Sequence, residues 1–381
     1  MKHILLFGAG KSATVLIDYL KQTATQKQWQ VTVADVNLAA VRAKVGDHTS
    51  VKAVAISIED ETERKALIVQ ADVVISLLPA ALHYIVALDC LAFGKHLLTA
   101  SYVDDQIREL ADEIKEKNIL FLCEMGLDPG IDHMSAMQLI HRIKDAGGKI
   151  VSFLSHCGGL VAPENDNNPW HYKISWNPRN VILAGKAGAI YREKSGVKSL
   201  EYGVLFTDCA EVGIEDIGQL AYYPNRDSLS YIPVYELDET ETFIRTTLRH
   251  PDFCKGWKVI VDLGLTDETN MINTDSLSVS SFLHSACRGK ESLLNDPLLK
   301  EQFDFLGWDD ATLINKGYCS SADILQWILE SKWILEKDDK DMIVMLHEID
   351  FELKSEKLKV KSELVVKGEN NLHTAMAKTV G

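Results

Sequence analysis

The sequence predicts an α/β fold, a doubly wound parallel sheet, in the N-terminal third of the chain and an α+β fold in the remainder. Up to about residue 125, short apolar runs alternate with segments of helical period. Runs that are apolar on both faces are typical of parallel strands covered by helices, and right-handed connections between them produce a doubly wound sheet. After Leu127, strand-like runs are instead separated by long polar loops and by one extended helical stretch.

The first region contains five predicted strands, each ended by turn residues or by a helical segment. They are Ile4–Phe7, Gln30–Ala34, Val73–Leu77, His96–Thr99 and Ile119–Cys123. Helical spacing of apolar residues predicts one helix directly after Gly10 and two more at Glu61–Gln70 and Asp104–Lys117. We expect residues 1–128 to form one domain.

The second region is predicted to open with a helix at Asp132–Ala146, which two glycines end. Strand-like runs follow at Ile150–Ser155, Val181–Leu183, Thr242–Leu248, Trp257–Leu263, Met342–Ile349 and Lys357–Val366. The polar segments Ala162–Pro178 and Asp216–Asp227 are predicted to be loops. We expect residues 129–293 and 341–370 to form an α+β substrate domain, with 294–340 as a helical insertion. Residues 371–381 would begin a helix that returns to the first domain.

Charge and cysteine content exclude several classes of function. The 55 acidic residues outnumber the 40 basic ones, for a net charge of −15, so we expect no nucleic-acid partner. The longest apolar stretch, Ala71 to Phe93, is interrupted by charged residues and a proline, so we expect no membrane span. Seven scattered cysteines without a CxxC pair predict no disulfide framework and are typical of a cytoplasmic protein. The twelve histidines show no HxH or HExxH spacing, and we expect no metal site.

A glycine-rich turn follows the first predicted strand. Gly8 and Gly10 are followed by the small residue Ala13, a spacing that holds a dinucleotide pyrophosphate at a helix N-terminus when it lies between a strand and a helix. Asp35, at the end of the second predicted strand, is placed to accept hydrogen bonds from the adenosine ribose. The pattern therefore predicts a Rossmann-type dinucleotide-binding domain.

The same aspartate bears on the choice of dinucleotide. A carboxylate at the ribose repels a 2′-phosphate, so Asp35 favours NAD over NADP. If Asp35 points away from the ribose, Lys11 or Arg42 would serve the 2′-phosphate of NADP instead.

Three further segments fall at the C-terminal ends of predicted parallel strands, the edge of an open α/β sheet where ligands bind. They are Ser76–Pro79, Leu98–Tyr102 and the glycine-containing loop Cys123–His133. A loop with this composition at this edge is a candidate part of a ligand site.

These segments and several later motifs resemble a known family. The motifs occur in family order: SLLP (76–79), SYV (101–103), GLDPGIDHM (126–134), HCGGL and APE (156–164), YKISWNPR (172–179), YPNRDS (223–228), IRTTLR (244–249) and HTAMA (373–377). Each motif is short, but the ordered set is specific, and the chain resembles the saccharopine reductases, the glutamate-forming saccharopine dehydrogenases of lysine metabolism.

The resemblance implies an oxidoreductase in which glutamate and 2-aminoadipate 6-semialdehyde condense to an imine that is reduced to saccharopine, or the reverse. The family allows NADP as well as NAD. By motif match, the cofactor-facing residues would be Ala9, Gly10, Lys11, Ser12, Asp35, Leu78, Ala100, Ser101, Leu127, Asp128 and Pro129. Asn177 is a further candidate, at a position near the cofactor where the family commonly has a serine. The substrate-facing residues would be Ser101, Tyr102, Asp128, Arg226, Thr247, Leu248 and Arg249. Family members also continue beyond Gly381, so we expect the sequence to stop early.

The charges of the implied substrate agree with the arginines of these motifs. Saccharopine carries three carboxylates, which a protein of net charge −15 can hold only with fixed cationic partners. Arg226 in a polar loop and Arg249 on a predicted strand can each donate two parallel hydrogen bonds to one carboxylate through the planar fork of the guanidinium. Arg245 has the same strand parity as Arg249 and is a candidate third contact.

The sequence leaves the proton donor and two alternative functions open. Asp128 could stabilise an iminium, and Tyr102 or Cys157 could relay a proton. One alternative is a related imine-reducing dehydrogenase that acts on carboxynorspermidine or a lysine derivative. The other is a non-catalytic dinucleotide-binding module. The expected partner is in each case a small molecule, and a homodimer remains open.

Overall fold

A six-stranded, fully parallel sheet organises the N-terminal part of the chain in the computed structural model, which describes residues 1–381. Its strands are β1 (His3–Phe7), β2 (Gln30–Asp35), β3 (Val51–Ala55), β4 (Val73–Ser76), β5 (His96–Thr99) and β6 (Phe121–Leu122). Their order, β3-β2-β1-β4-β5-β6, is that of a doubly wound dinucleotide-binding sheet. The predicted fold class of this region is confirmed.

Helices cover both faces of this sheet. They are α1 (Thr14–Lys27), α2 (Leu38–Val45), α3 (Glu61–Gln70), α4 (His83–Ala92), α5 (Asp105–Glu109) and α6 (Ala111–Glu116). Alternate residues of β1 enter separate cores: Leu6 packs with Ile17 of α1, and Leu5 packs with Val86 of α4. Both faces of the strand are therefore buried, as its continuous apolar run predicts. The helix predicted at Asp104–Lys117 is two helices that meet at Leu110.

The second region contains a larger mixed sheet with helices packed on it. Its elements are α7 (Ile131–Asp145), β7 (Lys149–Val161), α8 (Pro178–Ile182), β8 (Ala189–Glu193), β9 (Gly196–Leu200), β10 (Ala210–Ile214), β11 (Gly218–Pro224), β12 (Arg226–Asp227), α9 (Tyr231–Val234), β13 (Thr242–Arg249), α10 (Pro251–Asp262), β14 (Met271–Asn273), α11 (Val279–Cys287), α12 (Pro297–Leu306), β15 (Tyr318–Ser320), α13 (Ser321–Lys332), β16 (Asp341–Leu353) and β17 (Glu356–Lys367). Six strands follow one another as β10-β11-β13-β7-β16-β17, and β8, β9 and β12 attach beside β13.

The two faces of this sheet bury different cores. One face carries an aromatic cluster that includes Trp170, Tyr172, Phe253 and Trp257. The other face carries aliphatic residues, among them Leu248. The side chains of β13 therefore alternate between two distinct environments.

Three local predictions for this region are wrong. The residues Trp257–Leu263, predicted to be a strand, lie in and just after α10, which Pro251 starts and His250 caps. The strand predicted at Val181–Leu183 belongs to the end of α8, where Asn177 is the N-cap. The segment Asp216–Asp227, predicted to be a loop, contains β11.

The chain divides into two compact units, Met1–Ser135 with Leu372–Gly381, and Ala136–Asn371. The last element, α14 (Ala375–Val380), belongs to the first unit, where His373 contacts Asp18 of α1 at 3.0 Å. Thr374 caps α14 by accepting a hydrogen bond from the backbone N–H of Ala377. No helix of the structure combines the length and apolar character that crossing a bilayer requires.

Candidate active site

The glycine-rich turn after β1 has the backbone geometry that a dinucleotide pyrophosphate needs. Gly8 adopts a positive φ of 98°, and a Cβ there would lie 2.8 Å from the carbonyl oxygen of Leu77. Gly10 has open space where a side chain would be. A 3-10 turn at Lys11–Ala13 leads into α1, and no side chain caps the start of either. The turn can therefore present backbone N–H groups to an anion at a helix N-terminus.

Asp35 holds this turn from the end of β2. Its Oδ2 accepts a hydrogen bond from the Ala9 N–H at 2.8 Å, and its Oδ1 accepts one from the Asn37 N–H at 2.9 Å. Each carboxylate oxygen thus accepts one backbone N–H and keeps a further acceptor position, so the ribose contact of Asp35 stays a prediction. The residue is therefore an anchor of the dinucleotide turn.

Lys44 is a second anchor, which the sequence did not indicate. Its ammonium group donates to the carbonyl oxygens of Ala9 at 2.9 Å and of Gly10 at 2.5 Å. Burial lowers the pKa of Lys44, against the opposing influence of the Asp35 and Asp18 carboxylates. Its position on α2 carries no motif, so only the folded structure identifies it.

The strand ends β4 and β5 and the loop 123–133 meet at the same edge of the sheet. The loop is fixed to β5 because the Glu124 N–H donates to Ser101 O and the Met125 N–H to Thr99 O, both at 3.0 Å. Gly130 has a φ of 147°, and a Cβ there would overlap the Gly126 carbonyl, so only glycine fits. This geometry brings the predicted cofactor residues of the loop close to those that directly follow β5: Ala100, Ser101, Leu127, Asp128 and Pro129. Leu78 follows Leu77 beside the glycine turn.

Two of the predicted catalytic residues are directly hydrogen-bonded in the first unit. The Tyr102 hydroxyl donates to Asp128 Oδ1 at 2.7 Å. A phenol held by a carboxylate is an arrangement that can hold and move a proton.

A buried hydrogen-bonded chain of three side chains, which the sequence did not indicate, includes Ser101. The ring of His83 bridges Ser76 Oγ and Ser101 Oγ, with both distances 2.8 Å. Burial lowers the pKa of His83 to about 4, while Asp104 opposes the shift. His83 is therefore a neutral ring near pH 7 and fixes the orientation of the Ser101 hydroxyl.

In the second unit, three predicted substrate residues lie on one face of β13. Arg245, Thr247 and Arg249 alternate with residues of the opposite face. Across the sheet, Thr247 pairs with Cys157 of β7 on one side and Tyr223 of β11 on the other. Cys157, the third predicted catalytic residue, is therefore in register with this group.

Leu248 is placed differently from its neighbours on β13. Its side chain has no exposed surface and packs in the aliphatic core of the opposite face. On the face of β13 that carries Arg245 and Arg249, Leu248 presents only its backbone. Its carbonyl there accepts a hydrogen bond from Arg249 Nη1 at 2.8 Å. Contact of Leu248 with substrate stays a prediction, and in this geometry it would involve the backbone and not the side chain.

Arg249 is a buried cation without a carboxylate partner. The residue is 4% exposed, and its guanidinium lies 5.2 Å from the ring centroid of Tyr172 and 5.6 Å from that of Phe253. Its Nε is buried and makes no hydrogen bond. The nearby Tyr223 hydroxyl is also buried without a hydrogen-bond partner, and burial raises the pKa of this tyrosine. Unpaired donors on a buried charge are costly unless an anionic ligand completes them.

Of the other two predicted arginines, Arg245 lies on β13 and Arg226 lies on a segment attached to it. Arg245 is buried, with its guanidinium 4.5 Å from the ring centroid of Tyr231. Arg226 is exposed and has a positive φ of 51°. The Asn225 N–H donates to the Arg245 carbonyl at 2.8 Å, which attaches the Arg226 loop to β13.

Asn177, a predicted cofactor contact, has a structural role in the second unit. Its side-chain oxygen accepts the Arg179 N–H at 2.9 Å and caps α8. Contact with a cofactor remains a prediction for this residue.

Comparison with known proteins decides the family. Residues 4–122 match the model of the saccharopine dehydrogenase NADP binding domain, and residues 126–381 match that of the saccharopine dehydrogenase C-terminal domain. The chain belongs to the saccharopine dehydrogenase family. The resemblance predicted from the ordered motifs is confirmed.

Similar proteins include chains of comparable length and much longer chains. The chain is 34% identical to the NADP(+), L-glutamate-forming saccharopine dehydrogenase of Saccharomyces cerevisiae, over 100% of this chain and 88% of that protein. It is 32% identical to the alpha-aminoadipic semialdehyde synthase of Arabidopsis thaliana, over 99% of this chain but only 40% of that protein. The solved apo structure of the Saccharomyces cerevisiae L-Glu-forming enzyme matches with a TM-score of 0.87 at 32% identity, covering 100% of this chain and 88% of that one.

These comparisons do not support the preference for NAD that was inferred from Asp35. The matched domain is an NADP-binding one, and the yeast relatives are named NADP(+) enzymes. In the structure, the carboxylate of Asp35 accepts two backbone N–H groups, which partly satisfy its charge.

Proposed function

We propose that this protein is an oxidoreductase that interconverts saccharopine with L-glutamate and 2-aminoadipate 6-semialdehyde, using NADP(H). In the forward direction, the amine of glutamate condenses with the aldehyde, water leaves, and the resulting imine carbon receives a hydride. In the reverse direction, saccharopine loses the hydride and the imine is hydrolysed. The bound nicotinamide supplies or accepts that hydride.

The buried guanidinium of Arg249 is the observation that carries this proposal. It is enclosed by Tyr172 and Phe253, has no carboxylate partner in the chain, and keeps an unbonded Nε. A substrate carboxylate would accept hydrogen bonds from this fork and neutralise the charge. Arg245, on the same face of β13, and Arg226, on the loop attached to it, are candidates for the other two carboxylates of saccharopine.

The cofactor half of the proposal rests on the first unit. Gly8, Gly10 and the uncapped start of α1 would receive the pyrophosphate. Because Asp35 accepts two backbone N–H groups, its charge is partly satisfied within the protein, and this reduces its repulsion of a 2′-phosphate. Lys44 adds a positive charge beside the same turn. These features favour NADP, as the names of the relatives do.

We propose that the Tyr102 and Asp128 pair manages the proton of the reaction. The hydroxyl that now donates to Asp128 at 2.7 Å could instead donate to the substrate nitrogen, and the carboxylate would stabilise the positive charge that develops there. The His83 ring would orient the Ser101 hydroxyl as a neighbouring polar contact.

The proposal is tested by steady-state assay of the purified chain. We expect saccharopine to reduce NADP+, and glutamate with 2-aminoadipate 6-semialdehyde to oxidise NADPH. Omission of glutamate should abolish the reaction because no imine forms without its amine. Replacement of glutamate by a diamine should abolish it because the carboxylates of glutamate, which the arginines would bind, are then absent.

Other outcomes of the same assay would contradict the proposal. Turnover with diamine-derived imines but not with glutamate would indicate a related imine-reducing enzyme. Binding of NADPH without turnover of any of these substrates would indicate a dinucleotide-binding module.

A further inference from the structure

Two histidines and an aspartate converge where β13 passes into α10. His171 lies in the loop before α8, whereas His250 and Asp252 lie at the start of α10. Their potential ligand atoms all lie within 4.8 Å of one another, and all three side chains are partly exposed. The imidazole rings of His171 and His250 stack with centroids 3.7 Å apart.

The spacing of these atoms is close to that of a metal-ligand set. His171 Nε2 lies 3.3 Å from Asp252 Oδ2, and His250 Nδ1 lies 3.8 Å from the same oxygen. Two ligand atoms of a tetrahedral zinc ion, each about 2.0–2.1 Å from the metal, are about 3.3 Å apart. The two stacked rings would have to rotate out of their parallel arrangement to direct both nitrogens at one metal ion.

Asp166 provides the outer contact that metal-binding histidines usually have. Its Oδ2 lies 2.6 Å from His171 Nδ1, and its Oδ1 is buried without a hydrogen-bond partner. A carboxylate on Nδ1 fixes the ring and directs Nε2 toward Asp252, where a metal ion would replace the proton that Nε2 shares with Asp252. His250 Nδ1 accepts the Asp252 N–H at 3.2 Å with its single lone pair, so a metal ion bound there would replace this helix-capping hydrogen bond.

We propose that His171, His250 and Asp252 form a binding site for one divalent transition-metal ion of the zinc class, with Asp166 orienting His171. Two imidazoles and one carboxylate suit zinc, and a water molecule would complete the tetrahedron. The ligands come from segments that are distant in the sequence. Patterns of adjacent histidines therefore could not indicate this site.

The site has a structural link to the substrate arginine, and this consequence rests on the proposed function. Arg249 and the two rings around its guanidinium, Tyr172 and Phe253, are together called the Arg249 cage. Each proposed ligand is adjacent in sequence to one of these residues: His171 to Tyr172, His250 to Arg249, and Asp252 to Phe253. A metal ion would therefore join the two backbone segments that enclose the guanidinium, residues 171–172 and residues 249–253. We expect occupancy to lower the KM for saccharopine about 3-fold to 10-fold, with little change in the KM for NADP+.

The site is tested by titration of the full chain, first treated with a chelator, with ZnCl2 in a calorimeter. We expect one Zn2+ per chain with a Kd of about 10 µM or lower. His171→Gln and Asp252→Asn should each weaken binding about 100-fold. Asp166→Asn should weaken it about 10-fold to 100-fold, as expected for loss of an outer contact. His284→Gln is the matched control, because His284 is exposed on α11 and only stacks on Trp308.

The absence of stoichiometric Zn2+ binding, or equal affinity in the wild type and the two ligand variants, would overturn the proposal. A wild-type crystal soaked in ZnCl2 removes any dependence on the folding of the variants. An anomalous peak between the three side chains supports the site, and a zinc peak only elsewhere contradicts it. If the chain turns over no saccharopine, the proposed function fails, while these measurements still decide the metal site.

Discussion

Arg249 offers a substitution that should separate binding from folding. In Arg249→Met, the side chain keeps much of its length and apolar contact with Tyr172 and Phe253, but the charge and the hydrogen-bond donors are lost. The wild-type residue is 4% exposed and faces no carboxylate. The cost of burying its charge is opposed by the remaining contacts of the guanidinium, so we expect the charge to contribute little to the stability of the protein without ligand.

The expected magnitudes follow from these contacts. Burial of an unpaired ion costs several kcal/mol. Desolvated contacts with the two aromatic rings stabilise the folded protein by about 2 kcal/mol each, and the hydrogen bond to the Leu248 carbonyl stabilises it by about 1.5–3 kcal/mol. These contributions nearly cancel, so the free energy of unfolding should change by less than about 1 kcal/mol. Loss of the fork from a bound carboxylate should cost about 3 kcal/mol, which corresponds to a rise in the KM for saccharopine of about 100-fold.

The assay combines steady-state kinetics with thermal unfolding. We expect the melting temperature of Arg249→Met to stay within about 3 °C of the wild type and the KM for NADP+ to be unchanged. Arg249→Lys should raise the KM for saccharopine about 10-fold, because charge without a planar fork is an incomplete replacement. Arg142→Lys, at an exposed position of α7, is the control. A large fall in melting temperature with a normal KM for saccharopine would refute the reasoning.

Three further predictions concern the first unit. His83→Gln should reduce the dependence of stability on pH. The pKa of the buried His83 is about 4, whereas its value in the unfolded chain is near 6.5. Between these two values the unfolded chain binds more protons than the folded one, so the wild type loses stability as the pH falls. Urea unfolding should show the wild type losing about 2 kcal/mol more than the variant between pH 7 and pH 5, and an equal loss would contradict the burial of a neutral ring. Asp35→Ala should weaken binding of both NAD+ and NADP+ about 10-fold in fluorescence titrations, because it releases Ala9; tighter NADP+ binding would refute the anchoring role. Tyr102→Phe should lower kcat at least about 100-fold, while Tyr19→Phe, on the exposed side of α1, should not; an unchanged kcat would remove Tyr102 from the proton pathway.

The sequence predicted the first unit well because its signals are local. Apolar runs such as Ile4–Phe7 mark buried parallel strands, and Gly8 sits where the backbone allows no side chain. The loop 123–133 was identified as part of a ligand edge because the C-terminal ends of parallel strands meet there.

Predictions failed where tertiary packing overrides a local pattern. Trp257–Leu263 is apolar enough for a strand, but Pro251 and the His250 cap start a helix whose apolar side joins the aromatic core. Asp35 fits the pattern of a ribose ligand, and that contact stays a prediction; its bonds to the N–H groups of Ala9 and Asn37 are a further role that nothing in the sequence indicates.

Contacts between distant segments account for what the sequence missed in the site. Lys44 reaches the dinucleotide turn from α2, and His83 links Ser76 to Ser101. The Arg249 cage and the histidine cluster beside it exist only because the loop before α8 packs on the start of α10. Such pairings leave no short motif.

A crystal structure with NADP+ and saccharopine bound is the most direct test of the account. We predict that a saccharopine carboxylate accepts hydrogen bonds from Arg249, including its now unbonded Nε, at about 2.7–2.9 Å. The nicotinamide should lie at the edge formed by Ser101 and Asp128. A ternary complex in which Arg249 Nε stays without a partner, and the carboxylates bind elsewhere, would contradict the central claim.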